Sequence, residues 1–380
     1  MQNSNGSYHV ALIGGGLAGL SLSILLAKAN YRVALFEKEK YPFHKVCGEY
    51  ISFESWNFLE ELGVPLSDWN LPLIRKLMIS SPNGKYLEQD LPLGGFGISR
   101  YKLDSTLAEI AKANDVHLFE ENKVSDIVKE ELLFNVKNAA GNCHAKTVCG
   151  SFGKRSNLDI KWKRNFTLTK NNKLNNYIGV KYHIMTDHPN DLIALHNFKN
   201  GYCGISQIEE NKYCLCYLTT AENLRLNDNS IEKMERNVLQ KNHFLKKIFT
   251  ESTFLFPEPI TISQISFEKK MQVENDILFV GDAAGMITPL CGNGMSMALH
   301  AAKIAFHCID DLLQNKTGRS EMEKNYEEQW KKLFAKRLRT GRMIQSFFGN
   351  EFLSNLLISS VKPFPKFVSF LIKQTHGEAF

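Results

Sequence analysis

No CxxC pair occurs anywhere in the 380 residues of this chain, although it carries eight cysteines: Cys47, Cys143, Cys149, Cys203, Cys214, Cys216, Cys291 and Cys308. Without that spacing a zinc site is not indicated, and thiols scattered through so long a chain do not make a disulfide framework. A reducing, cytoplasmic setting is therefore the expectation. Also missing is any Lys or Arg ahead of the first apolar run, since the chain opens MQNSNGSYH. That excludes the charged start of a secretion signal. Nor does that run reach the roughly 20 apolar residues of a membrane span, because it is dense in glycine and closes at Lys28 and Asn30. Charge of one sign is scarce too: 46 Lys and Arg against 40 Asp and Glu leave a net charge of +6. Nucleic-acid binders show more clustered basicity, so nucleic acid is not an expected partner. A mildly basic protein suits an anionic cofactor equally well. No internal repeat or low-complexity linker interrupts the chain.

What is present is a long core-forming sequence, 43% hydrophobic, enough for roughly two domains. Near its start, YHVALIGGGLAGLSLSILLAKANYRVALFEK reads as a strand, a glycine turn, a helix to about Lys28 and a second strand ending at Glu37. This is the dinucleotide fingerprint in its required setting. Gly14 permits the tight turn, Gly16 lets backbone N–H groups approach a pyrophosphate, and Gly19 lets the helix pack on the strand, with Leu17 and Ala18 between them. The helix N-terminus adds partial positive charge. Glu37, followed by Lys38, lies where a carboxylate accepts from adenosine ribose hydroxyls and repels a 2′-phosphate. FAD and NAD both fit these residues.

A second segment, NDILFVGDAAGMITPLCGNGMSMALHAAKIAFHCIDDLL, narrows the choice. An apolar strand, Ile277 to Val280, runs into Gly281 and Asp282, and a helical pattern starts near Gly294 after a Pro and Gly loop. Here the chain resembles the FAD-dependent oxidoreductases of the para-hydroxybenzoate hydroxylase fold, and most closely their geranylgeranyl-reductase-like branch. The resemblance implies FAD, a ribityl contact from Asp282, and a flavin-side loop of Pro289, Gly292, Asn293, Gly294 and Met295. A helix N-terminus at the ring would stabilise negative charge on reduced flavin. YPFHKVCGEYIS resembles the family's P-R-x-K-x-C-G loop through Pro42, Lys45, Cys47 and Gly48, and GISRYKLDSTLAEIAKA its R-x-x-x-D-x-x-L helix start through Arg100 and Asp104. Three departures stand against these matches: Phe43 replaces an Arg, Phe152 replaces the Asp of a central Asp-Gly motif, and GYCGISQIEE keeps Tyr202 but lacks the rest of the lipid reductases' Y-x-W-x-F-P strand.

The expected fold class is α/β, with a discontinuous Rossmann-type FAD-binding domain over 1–72, 96–174 and 268–318. Into it is inserted a mainly antiparallel β-sheet substrate domain over 73–95 and 175–267, and a helical cap spans 319–380. Runs such as YIGVKYHIM, LIALHNF and KYCLCYL read as strands of the insert. Tyr326, Trp330, Phe334 and Leu338 recur every fourth residue, which favours a helix packed on the body over a partner groove. Beyond them, KKLFAKRLRTGR and FLSNLLISSVKPFPKFVSFLIK combine basic and apolar residues that either cap an apolar site or make peripheral contact with a membrane.

The favoured activity is an NAD(P)H-driven monooxygenase, with NAD(P)H docking transiently, acting on an apolar aromatic or polyketide-like small molecule. The alternative is an ene-reductase or desaturase of isoprenoid or lipid chains, as the nearest branch implies. Flavin-dependent halogenases share the fold, but their W-x-W-x-I-P signature is absent: Trp56, Trp69, Trp162 and Trp330 stand apart. A non-enzymatic electron carrier would not need the extra sheet. The candidate catalytic residues each have a plainer reading. His44 is a proton donor beside the ring or a solvated loop residue; Cys47 is a redox group or a small buried side chain; Tyr202 orients substrate or packs in its strand. No metal is expected, because Cys214 and Cys216 have no His or carboxylate partner identifiable in sequence. Nothing in the sequence sets the oligomeric state.

Overall fold

The structure, a computed structural model, describes residues 7–168 and 176–380. The expected boundary at 174/175 falls outside the described residues. The first strand, Ser7–Ile13, lies between Val33–Phe36 and Gly141–Gly150, parallel to both. His117–Phe119 and Ile277–Phe279 extend this parallel layer at its two sides. Parallel strands of this kind are covered on both faces, which is why VALI and VALF are near-continuous apolar runs. Leu17–Lys28 packs on the layer together with Gly294–Leu313, so the two glycine-marked helices of the sequence are neighbours.

The second sheet is mainly antiparallel. Its order runs Thr253–Phe254, Tyr177–Met185, Tyr213–Thr220, Gly201–Gln207, Leu192–Phe198, Leu73–Ser80, Tyr86–Gly97 and Tyr50–Ser52. Only Leu192–Phe198 and Leu73–Ser80 pair parallel on that path. A hairpin, Val124–Glu130 and Leu133–Asn138, leads into Gly141–Gly150 and carries no strong strand signal in sequence. Its strands, VSDIVKE and LFNVKN, are polar at half of their positions or more, so their apolar half reads as scatter.

Arg319–Gln345 buries Tyr326, Trp330, Phe334 and Leu338, as their spacing predicts, and the Tyr326 hydroxyl donates to Phe279 O at 2.6 Å. No helix among the described residues is long and apolar enough to cross a membrane.

On the far face of the second sheet, helix Ile231–Asn237 buries Glu235, whose Oε1 accepts from the Tyr182 hydroxyl at 3.0 Å and the Tyr217 hydroxyl at 2.7 Å. Burial, opposed by those two hydrogen bonds, pushes its carboxyl up from 4.5 to about 7. The folded protein thus holds a proton that the unfolded chain releases, so the stability it contributes is full below about pH 4.5 and lost as pH rises through about 7. Glu235→Gln keeps both acceptor bonds and needs no proton. At mildly alkaline pH it should be more stable than wild type by up to about 3 kcal/mol, with the two converging in acid; equal denaturant midpoints at all pH values would refute this.

Candidate functional site

The turn after the first strand is built by contacts that only glycine allows. Gly14 has φ +110°, and a Cβ there would sit 2.6 Å from Ser151 O and Phe152 Cα. Ser151 Oγ donates to Gly14 O at 2.7 Å, so the turn is held from the neighbouring strand end. Gly19 lies against Gly14 O, while Leu17 and Ala18 are buried. Gly15 carries no role in the sequence motif, yet the Tyr41 hydroxyl donates to its carbonyl at 2.5 Å and would overlap a methyl at its Cα. Glu37, 7% exposed, accepts from Gly15 N at 2.8 Å with one oxygen and from Lys38 N at 2.8 Å with the other. The Lys38 ammonium points to solvent and pairs with Glu39.

Beside the turn lies a compact charge cluster. Asp104 receives Arg100 Nε at 2.6 Å, Arg100 Nη2 at 2.7 Å and Lys45 Nζ at 3.0 Å. Burial works against the Asp104 carboxylate, but the Arg100 and Lys45 charges overcome it and hold the pKa below its usual value. One carboxylate between two cations leaves a net positive charge. Both cations face Gly16: a Cβ there would lie 3.7 Å from Arg100 Nη2 and 3.8 Å from Lys45 Nζ, ordinary contact distances. Phe43, standing where the resemblance expects Arg, lies under the Lys45 ammonium at 4.5 Å from the ring centre.

Residues 45–48 are fixed by their carbonyls. Lys181 Nζ donates to Lys45 O at 3.2 Å, Lys154 Nζ to Val46 O at 3.4 Å, Cys214 Sγ to Cys47 O at 3.2 Å and Ser206 Oγ to Gly48 O at 3.5 Å. Three of these four donors come from strands of the second sheet. Glu49, next in the chain, sits at φ +55°, where non-glycine residues are strained. Its buried carboxylate binds the Lys181 ammonium, accepts from His183 Nε2 at 2.6 Å, and also accepts from Arg100 N at 2.7 Å. Burial alone would raise Glu49, yet Lys181 and His183 hold it down to about 2.

Sequence reasoning missed this group and left Cys214 without a partner. The structure corrects that: Glu49, His183 and Cys214 place one ligand atom each within 4.8 Å of one another. Their chemistry is poor for a cation, because the Lys181 ammonium already occupies the carboxylate and burial pushes the Cys214 thiol pKa well up. His44 stacks on Tyr101 with ring centres 4.6 Å apart and meets His183 edge-on at 5.2 Å. Burial, then Lys181 and His183, lower it to about 4, so at neutral pH its imidazole is uncharged.

The later motif closes on the same place. Gly281, φ +64°, lets the Asp282 turn approach the first helix at Ala18. Lys270 Nζ pins this turn through Asp282 O at 2.8 Å. Pro289 opens a short turn that ends at Gly292, φ +64°, and Gly294 starts a helix with no acidic residue in its first turn. Met295 Sδ lies 3.6 Å from Cys47 Sγ, bringing the two loops together. Asn293 Nδ2 donates to Thr375 O at 2.9 Å, while Asn293 Oδ1 and Ser296 Oγ are buried without a protein partner. Tyr202 lies apart from the charged groups, in an apolar cluster with Leu195, Leu218, Met286 and Leu290.

A family model described as FAD binding domain matches residues 7–339. Among curated proteins, conditioned medium factor receptor 1 of Dictyostelium discoideum is 25% identical over 359 residues, covering 85% of this chain and 67% of its own length. Digeranylgeranylglycerophospholipid reductase of Methanococcus vannielii is 24% identical over 340 residues, 86% of this chain and 82% of that protein. Of solved structures, a flavin-dependent brominase aligns with TM-score 0.79 at 16% identity, covering 97% of this chain and 93% of its own. A geranylgeranyl bacteriochlorophyll reductase-like protein from Thermoplasma acidophilum aligns with TM-score 0.78 at 18% identity, covering 98% and 96%.

Two outcomes follow from this geometry. Gly16→Ala should leave the apo-protein's stability within about 0.5 kcal/mol while weakening FAD binding about tenfold or more, whereas Gly14→Ala should destabilise the fold itself by about 3 kcal/mol; fluorescence titration and chemical denaturation separate the two. Lys181→Met should cost about 3–5 kcal/mol by stranding a buried carboxylate, and adding Glu49→Gln should recover part of that loss. Strict additivity in the double variant would show that the pair does not interact.

Proposed function

This chain belongs to the FAD binding domain family and is an FAD-dependent oxidoreductase, and from that premise we propose that it hydroxylates an apolar aromatic or polyketide-like small molecule at the expense of NAD(P)H. The observation that carries the reading is the apolar face which the second sheet turns toward the Pro289 loop. Leu195, Tyr202 and Leu218 from the sheet meet Met286 and Leu290 from the loop side, with Phe348 edge-on to Tyr202 at 6.0 Å between ring centres. This apolar cluster suits a substrate with an aromatic, uncharged body.

The residues present fit the cofactor. Gly16 is open beneath two cations, and the orphaned Asn293 Oδ1 and Ser296 Oγ offer hydrogen-bonding atoms at the Gly294 helix start. In this reading the amides from Gly16 to Gly19 and the Lys45 and Arg100 charges hold the diphosphate, Glu37 the adenosine ribose and Asp282 the ribityl chain. Bound there, FAD supplies the two-electron redox chemistry. The N–H groups that open the Gly294 helix stabilise negative charge at the ring position. His44, uncharged at neutral pH, keeps its buried Nδ1 without a protein partner next to His183. The apolar cluster and the last helices keep water from the reacting atoms.

One observation favours a second reading, reduction of a carbon–carbon double bond in an isoprenoid-like chain. The Cys47 thiol, part-buried against Met295, is placed to hand a proton to a substrate carbon. Incubation of the holoenzyme with NADPH, labelled dioxygen and a panel of apolar phenols and polyprenyl lipids distinguishes the two. Incorporation of one labelled oxygen, with Cys47→Ala retaining turnover within about threefold, is the outcome expected of the hydroxylase. Gain of two hydrogens without oxygen uptake, abolished in Cys47→Ala, would replace it with the reductase.

A further inference from the structure

Large apolar side chains left in water concentrate at one place among the described residues. Phe352 and Leu356 are 73% and 51% exposed, and Phe364, Phe367 and Phe370 are 61%, 49% and 54% exposed. All five lie in helices Glu351–Val361 and Pro365–Lys373 or in the turn between them. They are not the core-facing side of these helices. That side is taken by Ile358, Val361 and Val368, which bury against Leu87 of the second sheet. In the last helix, Phe364, Phe367 and Phe370 follow one another at three-residue steps along one face, while Val368 and Ile372 occupy the other. Helices that are apolar on both faces need a second non-aqueous neighbour.

Charge decides which neighbour. The two helices and their turn, residues 351–373, contain Lys362, Lys366 and Lys373 and a single acid, Glu351, at the first helical position. Lys362 reaches over the half-exposed Tyr86 ring at 5.2 Å, and Lys85 donates to Ser359 Oγ at 3.3 Å, so basic groups border the phenylalanines. A second copy of the chain meeting this face symmetrically would set lysine against lysine. A surface of anionic headgroups over an acyl interior complements both the charge and the apolar groups.

We propose that the two last helices dock this protein on an anionic lipid bilayer, with the phenylalanines at the acyl boundary and the lysines among the headgroups. The docking helix ends two residues before Thr375, whose carbonyl holds Asn293 of the Gly-rich loop. The membrane contact and the cofactor site are therefore linked by one short stretch of backbone. The proposal stands whichever reaction the site performs.

The test is flotation of the full-length holoprotein with vesicles of phosphatidylglycerol or of phosphatidylcholine, at low and high salt. The wild type should float with phosphatidylglycerol at low salt and about tenfold less with phosphatidylcholine or at high salt. The triple variant Phe364→Ser, Phe367→Ser, Phe370→Ser should stay in the soluble fraction while keeping the wild-type melting transition and flavin spectrum. Lys362→Glu with Lys366→Glu should lose the preference for anionic vesicles. Wild type remaining soluble, or the triple variant floating as wild type does, overturns the proposal. So does a vesicle-free dimer, seen by light scattering, that the triple variant dissolves, since a second copy would then own this face.

Discussion

One buried carboxylate ties the two halves of this molecule together. Glu49 is fully enclosed, yet its side chain is bound by Lys181 and His183 from the second sheet and by the backbone N–H of Arg100 at the head of the helix that flanks the glycine turn. An ion pair in that setting adds little net stability, because desolvation offsets most of the attraction. What it fixes is relative position. The strained backbone at Glu49 is kept because three partners from two parts of the fold converge on it. The Cys47 loop leads into this anchor and the Arg100–Asp104–Lys45 cluster adjoins it, so Glu49 sits where the thiol, the cations and the sheet meet.

The opening Rossmann unit was legible because its chemistry is local. Gly14 takes a positive φ and Gly19 lies against Gly14 O, both within one turn, and Glu37 closes a strand a short way along the chain. The helix stripe of Tyr326, Trp330, Phe334 and Leu338 was equally readable, since burial at helical spacing leaves a period in the sequence. Glu49, Lys181 and His183 left no such trace. Their partnership spans more than a hundred residues, and each taken alone reads as ordinary: Glu49 follows a loop, and Lys181 and His183 stand at alternate positions of the strand YIGVKYHIM. Gly15 was passed over because its constraint comes from Tyr41 rather than from the motif.

Two departures from the resembled pattern find physical explanations. Phe43 brings no charge in place of the arginine; it gives the Lys45 ammonium, the loop's own lysine, an aromatic face to rest on, so one cation stands here where the resembled loop has two. Phe152 sits edge-on to Phe279, with ring centres 5.9 Å apart, and Trp162 approaches the same ring at 6.3 Å. A position that offers a carboxylate in the resembled family is here part of the packing behind the strand that leads to Asp282. Under the proposed cofactor assignment, contacts on that side fall to Asp282 and the Gly294 helix.

The four captured carbonyls of residues 45–48 have a consequence for anyone who would move this site. The loop's path is set by Lys181, Cys214 and Ser206, which project from three strands of the second sheet, together with Lys154. Those strands act as a mould, and the loop is the cast. Grafting PFHKVCG into another scaffold would transfer the lysine and the thiol without their shape, whereas a scaffold that supplies the mould could accept other side chains on the same backbone trace.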